Sequence, residues 1–102
     1  MAYGYSGSDI ILKTDIEPIE NALWKVQQLR GVEYTLIREN TRCFGVIAQE
    51  VEHIIPEVVN INDNGIKGVS YNGLIGFLIN AIKEQQQEIN NLKNILKNNN
   101  IY

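Results

Sequence analysis

Ser8 and Lys13 stand five residues apart, directly after Gly7. A serine hydroxyl beside a lysine amine can do nucleophilic chemistry when the amine is desolvated enough to lose its proton near neutral pH. The spacing sets a geometric condition. On a strand, residues i and i+5 point to opposite faces, and on a helix they lie about 140° apart. The two side chains meet only if the chain bends between them, or if Lys13 comes from another subunit. No other residues form a comparable set. Glu17 and Glu20 suit the first turn of a helix, where the dipole favours negative charge. Glu50 and Glu52 are near neighbours along the chain. His53 has no partnered Ser or Cys in a motif and reads as a surface or boundary histidine. Cys43 reads as a small buried hydrophobe. One His and one Cys are too few soft ligands for a structural zinc site. The glycines form neither the Gly-x-Gly-x-x-Gly fingerprint nor a Walker-type phosphate loop. No metal and no cofactor is expected.

The chain that must position Ser8 and Lys13 has 102 residues, 44% hydrophobic and 21% charged, with a formal net charge of −3. That length bounds it to one small domain, or to one domain plus an extended element. A core of this size is marginal unless something staples it or it oligomerises. A single Cys excludes an internal disulfide framework, which leaves assembly with other chains as the expected staple. The acidic balance, with Lys and Arg scattered, argues against nucleic-acid or anionic-membrane partners. No apolar run approaches the ~20 residues of a membrane span, and Met1–Ser8 lacks the basic and apolar regions of a signal peptide. The sixteen Ile and thirteen Asn against three Arg reflect an AT-rich genome.

Met1–Ser8 is small and glycine-rich, with the character of a linker or processed leader. Ile10–Ile16 has a strand-like composition and is expected to be extended. Pro18 suits the first turn of a helix. Behind it Ile19, Ala22, Leu23, Val26 and Leu29 recur at three- and four-residue spacing until Gly31, which predicts an amphipathic helix over Pro18–Arg30. Trp24 sits one position off that stripe and is a candidate subunit contact. Val32–Arg38 alternates as a strand with Val32, Tyr34 and Leu36 on its buried face. Glu39–Arg42 reads as a polar turn and Phe44–Ile47 as a second strand. Ala48–Ile54 predicts a short helix with Val51 and Ile55 inward, stopped by Pro56. Val58–Ile61 and Ile66–Val69 flank Asn62-Asp63-Asn64-Gly65, and the Asn-Gly pair predicts a hairpin.

From Tyr71 onward the period changes. Counted from Tyr71, the residues Ile75, Leu78, Ile82, Gln85, Ile89, Leu92 and Leu96 follow at steps of 4, 3, 4, 3, 4, 3 and 4. This is a heptad seam, with Ile82, Ile89 and Leu96 at a and Leu78, Gln85 and Leu92 at d. A helix of roughly 25 residues is too long to fold back over so small a core, so it is expected to project and pair with copies of itself. Ile at a with Leu at d favours dimers, but the polar Gln85 layer spoils that inference. The pattern alone supports two to four strands.

With these residues in view, the chain from Ser8 to about Asn90 resembles the intramolecular chaperone, auto-processing domain of phage tailspikes and tail fibres (peptidase family S74, the endosialidase C-terminal chaperone). The resemblance opens on Ser8, Asp9 and Lys13 as a Ser-Asp-x-x-x-Lys motif and runs through Ile16–Leu23, Val26, Leu29, Gly31-Val32 and Tyr34. Its most specific block is Gly45–Glu52, followed by Pro56-Glu57 and Val59. Gly65, Lys67, Val69, Tyr71, Leu74, Ile75 and Ala81–Glu84 complete it. The family's position after Ser-Asp is often basic, whereas here it is Ile10.

The resemblance implies an α+β fold, with a small globular head of short antiparallel strands and helices and a long C-terminal coiled-coil helix, assembled as a trimer. The expected division is a leader or upstream remnant over 1–7, the chaperone head over 8–70 and the coiled-coil helix over 71–102. The implied function is to trimerise an upstream fibre or tailspike passenger in cis, then to release itself by autoproteolysis at Gly7–Ser8. In that reading Ser8 is the nucleophile and Lys13 the general base, with Asp9 supporting the motif and Leu78, Ile82, Gln85, Ile89, Leu92 and Leu96 forming the trimer seam. The partners are two further copies and the passenger, with no nucleic acid and no membrane. The setting is the infected host cell during virion assembly, with the domain lost from the mature fibre. The competing reading is a non-cleaving trimerisation module of the same fold.

Overall fold

The computed structural model describes residues 7–100. Of the expected leader only Gly7 falls within them, and Ile101 and Tyr102 of the expected C-terminal segment lie outside. The dominant element is the last helix, α3 (Tyr71–Asn98), 28 residues long. Ser70 starts it by accepting a hydrogen bond on its hydroxyl from Gly73 N–H, a serine N-cap. Its periodic apolar positions and the absence of proline let it run unbroken.

The residues before it touch α3 chiefly through 22–26 and 56–58. A three-residue 3-10 turn at Ile10–Leu12 leads into an irregular arm. Then come α1 (Ala22–Val26), β1 (Val32–Leu36), β2 (Thr41–Gly45), α2 (Ala48–Ile54), a 3-10 turn at Pro56–Val58, β3 (Val59–Ile61) and β4 (Lys67–Val69). The sheets are two separate antiparallel hairpins, β1 with β2 and β3 with β4. Tyr34 lies opposite Cys43, and Val59 opposite Val69. In the second hairpin the Asn62 carboxamide accepts from Asn64 and Ile66 N–H, and Gly65 takes φ 78°, a left-handed value glycine adopts without strain. The described chain is thus α+β, with two small antiparallel sheets and a long C-terminal helix.

The core is small. Val51, Ile55, Val58 and Leu74 form its buried centre, ringed by half-buried Leu29, Val46, Ile54, Val59, Val69 and Phe77. Val51 and Ile55 point inward as the spacing predicted. At the end of β2, a Cβ on Gly45 would come within 2.8 Å of the Tyr71 hydroxyl, so a larger residue there would displace that ring. The radius of gyration, 18.2 Å, exceeds the ~13 Å of a compact 100-residue domain, because α3 runs past the head.

Three local expectations are corrected. Ile10–Ile16 is not an extended strand: it has no strand to pair with, and Asp9 caps a 3-10 turn instead. The helix expected over Pro18–Arg30 is confined to Ala22–Val26. Asn21 sits in the left-handed region (φ 55°), and side chains of α3 take the backbone groups that a longer helix would have used. The second strand is Thr41–Gly45 rather than Phe44–Ile47, because pairing with β1 sets its register and Val46-Ile47 turns away into α2.

Candidate active site

Asp9 builds the local geometry at Ser8. Its carboxylate accepts from Ile11 N–H at 3.0 Å, and its own carbonyl accepts from Leu12 N–H at 3.0 Å. Lys13 N–H then donates to the Ile10 carbonyl, also at 3.0 Å, and Lys13 leaves the turn extended. One short turn therefore folds the chain back on itself. Lys13 Nζ donates to Ser8 Oγ at 2.8 Å. The bend demanded by the five-residue spacing exists, within one chain, and an aspartate two residues before the turn's middle creates it. Gly7 is backed by the Leu12 side chain, whose tip lies 3.2 Å from where a Cβ would be.

The surroundings are apolar but uncovered. Ile10, Ile11 and Leu12 are 74%, 83% and 69% exposed, and every residue from Gly7 to Pro18 is exposed. An amine acts as a base only when drawn out of water. The single chain supplies the contact between hydroxyl and amine without the shelter.

Residues 61 and 62 positions downstream hold the root of this arm. Glu84 on α3 accepts from the N–H of buried Ala22 at 2.9 Å, capping α1 in place of Asn21, whose side chain makes no cap. Asn80 donates to the Ile19 carbonyl at 2.9 Å. Lys25 lies over the Phe77 ring. Sequence reasoning assigned Glu84 and Asn80 no role. Glu84 lay inside the matched Ala81–Glu84 block, but nothing in the linear sequence points to a contact 62 residues away.

Several other titratable residues make contacts of their own. Arg30 makes a two-pronged contact to Glu50, at 2.7 and 3.2 Å. That hydrogen bonding holds the Glu50 carboxyl below its ordinary range and raises the Arg30 guanidinium. Lys67 pairs with Glu52, tying β4 to α2. Glu17 and Glu20 both precede α1, so neither sits in a helical first turn. His53 is exposed in the last turn of α2, and Cys43 is half-buried on β2. Among the described residues no group of three or more His, Cys, Asp or Glu could hold a metal, and no helix is long and apolar enough to cross a membrane.

On α3 the face that holds the head is made by Gly73, Leu74, Phe77, Asn80, Ala81 and Glu84. Leu78, Ile82, Gln85, Ile89, Leu92 and Leu96 all lie outside that face and are exposed. Gln86 and Gln87 donate along the helix to Asn90 and Asn91, leaving Gln85 on the seam.

These features define a small α+β domain with a Ser-Lys contact at one end and a long two-faced helix at the other. The chain belongs to the chaperone-of-endosialidase family, peptidase S74, whose model matches residues 8–60 and so opens on Ser8. It is also similar to long tail fiber protein Gp37 of several phages. The Salmonella phage S16 protein is 34% identical over 101 residues, covering 88% of this chain and 14% of that protein. The Enterobacteria phage K3 protein is 35% identical over 101 residues, with 90% and 8% covered. The Escherichia phage AR1 protein is 37% identical over 90 residues, with 78% and 8% covered. The chain thus spans a small fraction of the length of these relatives.

Proposed function

We propose that this domain is an intramolecular chaperone of a phage fibre or tailspike, which trimerises its passenger in the infected cell and then cuts itself free at Gly7–Ser8. The observation that carries the reading is the 2.8 Å contact between Lys13 Nζ and Ser8 Oγ. Membership of a peptidase family and similarity to tail fibre proteins support it.

In this mechanism Lys13, once desolvated, takes the Ser8 hydroxyl proton, and Ser8 Oγ attacks the adjacent Gly7 carbonyl through a five-membered ring. The C–N bond breaks, Lys13 returns the proton to the Ser8 nitrogen, and an ester joins Gly7 to Ser8. Water hydrolyses the ester, leaving a Gly7 carboxylate and a new N-terminal Ser8. Gly7 presents an unhindered carbonyl. The trimer forms through the exposed seam from Leu78 to Leu96, and assembly supplies the shelter that the Ile10–Leu12 turn lacks in one chain. A second reading, a trimerisation module that does not cleave, is favoured by the exposure of both Ser8 and Lys13.

One measurement separates the two. The intact mass of the full chain is expected to fall by Met1–Gly7, and Ser8→Ala or Lys13→Ala abolishes the loss. Full mass persisting in a verified trimer refutes cleavage. Ile82→Asp with Ile89→Asp is expected to leave an uncut monomer, and efficient cleavage by that monomer would show that assembly is not required.

A further inference from the structure

Each copy of the chain carries an exposed aliphatic turn at Ile10–Leu12, and each also carries an apolar groove on its body. The groove, of about 240 Å³, is walled by Val26, Leu29, Val46, Leu74 and Leu78, with Gly31 and Arg30 at its rim. An aliphatic-lined cavity of about 150 Å³ admits a benzene-sized group, so this one has room for an aliphatic side chain and part of a second. Single exposed hydrophobes are ordinary on a protein surface, but three in succession on a chain that also carries an unfilled apolar groove are not.

The position of the groove on α3 indicates what fills it. Leu78, one of its walls, is also a heptad d residue, so the groove borders the seam where a neighbouring helix would lie. The chain's own arm is rooted elsewhere: Ile19 abuts Gly76 and is bonded by Asn80. Leu74 and Gly76, like Leu78 and Asn80, are two residues apart, about 200° round an α-helix. The arm therefore leaves from the opposite flank of α3, and in the single chain it lies exposed, off the groove. The seven residues Leu12–Pro18 can span about 23 Å, roughly twice the diameter of a helix.

We infer that the Ile10–Leu12 turn of one copy docks in the Val26–Leu29–Leu74–Leu78 groove of the next, so that a neighbouring subunit covers Ser8 and Lys13. This rests on the assembled, self-cleaving reading and adds the surface that shelters the reacting pair. Donor and acceptor surfaces differ, so the contact runs head to tail and closes as a ring in a trimer.

The test is a cysteine pair, Ile11→Cys with Gly31→Cys, in a Ser8→Ala, Cys43→Ala background that retains the arm. Gly31 suits this because an added Cβ meets nothing within 4 Å. Under mild oxidation a trimer, verified by light scattering, is expected to give covalent dimers and trimers on a non-reducing gel, and neither cysteine alone gives the covalent trimer. A verified trimer that stays monomeric on the gel, whether unlinked or linked within one chain, overturns the docking and leaves the self-cleaving reading standing. A monomer by light scattering overturns both. In the cleavable chain, Ile11→Asp is expected to slow cleavage at least tenfold with the trimer mass unchanged; cleavage at the unaltered rate overturns the docking.

Discussion

Asp9→Ala isolates the contribution of the turn from that of the proposed reacting groups. The contact removed is one hydrogen bond, Ile11 N–H to the Asp9 carboxylate at 3.0 Å, on a turn of three residues. A capping side chain of this kind is worth about 1 kcal/mol. A loss of that size changes an equilibrium by about fivefold. If the closed turn is the form that reacts, its population falls by at most that factor, and the cleavage rate falls with it. Asn caps as well as Asp, so Asp9→Asn should stay within about twofold of the parent rate. Lys13→Ala, by contrast, removes the proposed base altogether. The assay is a time course of intact mass at one protomer concentration, with trimer content checked at each point. An Asp9→Asn variant as slow as Lys13→Ala would mean that the carboxylate charge takes part in the chemistry. An Asp9→Ala variant at the parent rate would mean that the turn is held by contacts other than its cap.

Glu84→Ala leaves the N–H of fully buried Ala22 without its acceptor, and should cost about 1–3 kcal/mol. The loss should show as a lower urea midpoint at unchanged slope and fixed protomer concentration, and an equal loss from exposed Glu88→Ala would contradict it. The Arg30–Glu50 pair sets an acid response. Glu50 is held below its ordinary 4.5 by the Arg30 hydrogen bond, so its contribution is present above that pH and is lost as the pH falls through the lower folded-state value. Glu50→Gln should therefore flatten the stability profile below about pH 4.5, by a small and salt-sensitive amount because the pair is exposed. A profile unchanged by the substitution would refute this.

The elements legible in the linear sequence were those specified by their own neighbours. The heptad steps from Ile75 to Leu96 marked α3 almost to the residue, and the Asn62–Gly65 run marked the β3–β4 hairpin, because period and turn chemistry are local. Ala48–Ile54 was legible for the same reason. The five-residue spacing of Ser8 and Lys13 marked the pair as a candidate but left open how the side chains could meet. That depended on a turn too short to leave a periodic signal.

Tertiary structure decided where a local pattern yields to a distant contact. Ile19, Ala22, Leu23, Val26 and Leu29 carry a helical stripe, yet α1 begins only at Ala22, because Glu84 and Asn80 occupy backbone groups at Ala22 and Ile19. No window of the sequence contains both partners, since they lie about 60 residues apart. It likewise took the folded chain to show that the head occupies one face of α3 and leaves the heptad face exposed. Periodicity tells which residues share a stripe. Which neighbour covers that stripe is settled only when the chain has brought the neighbour there.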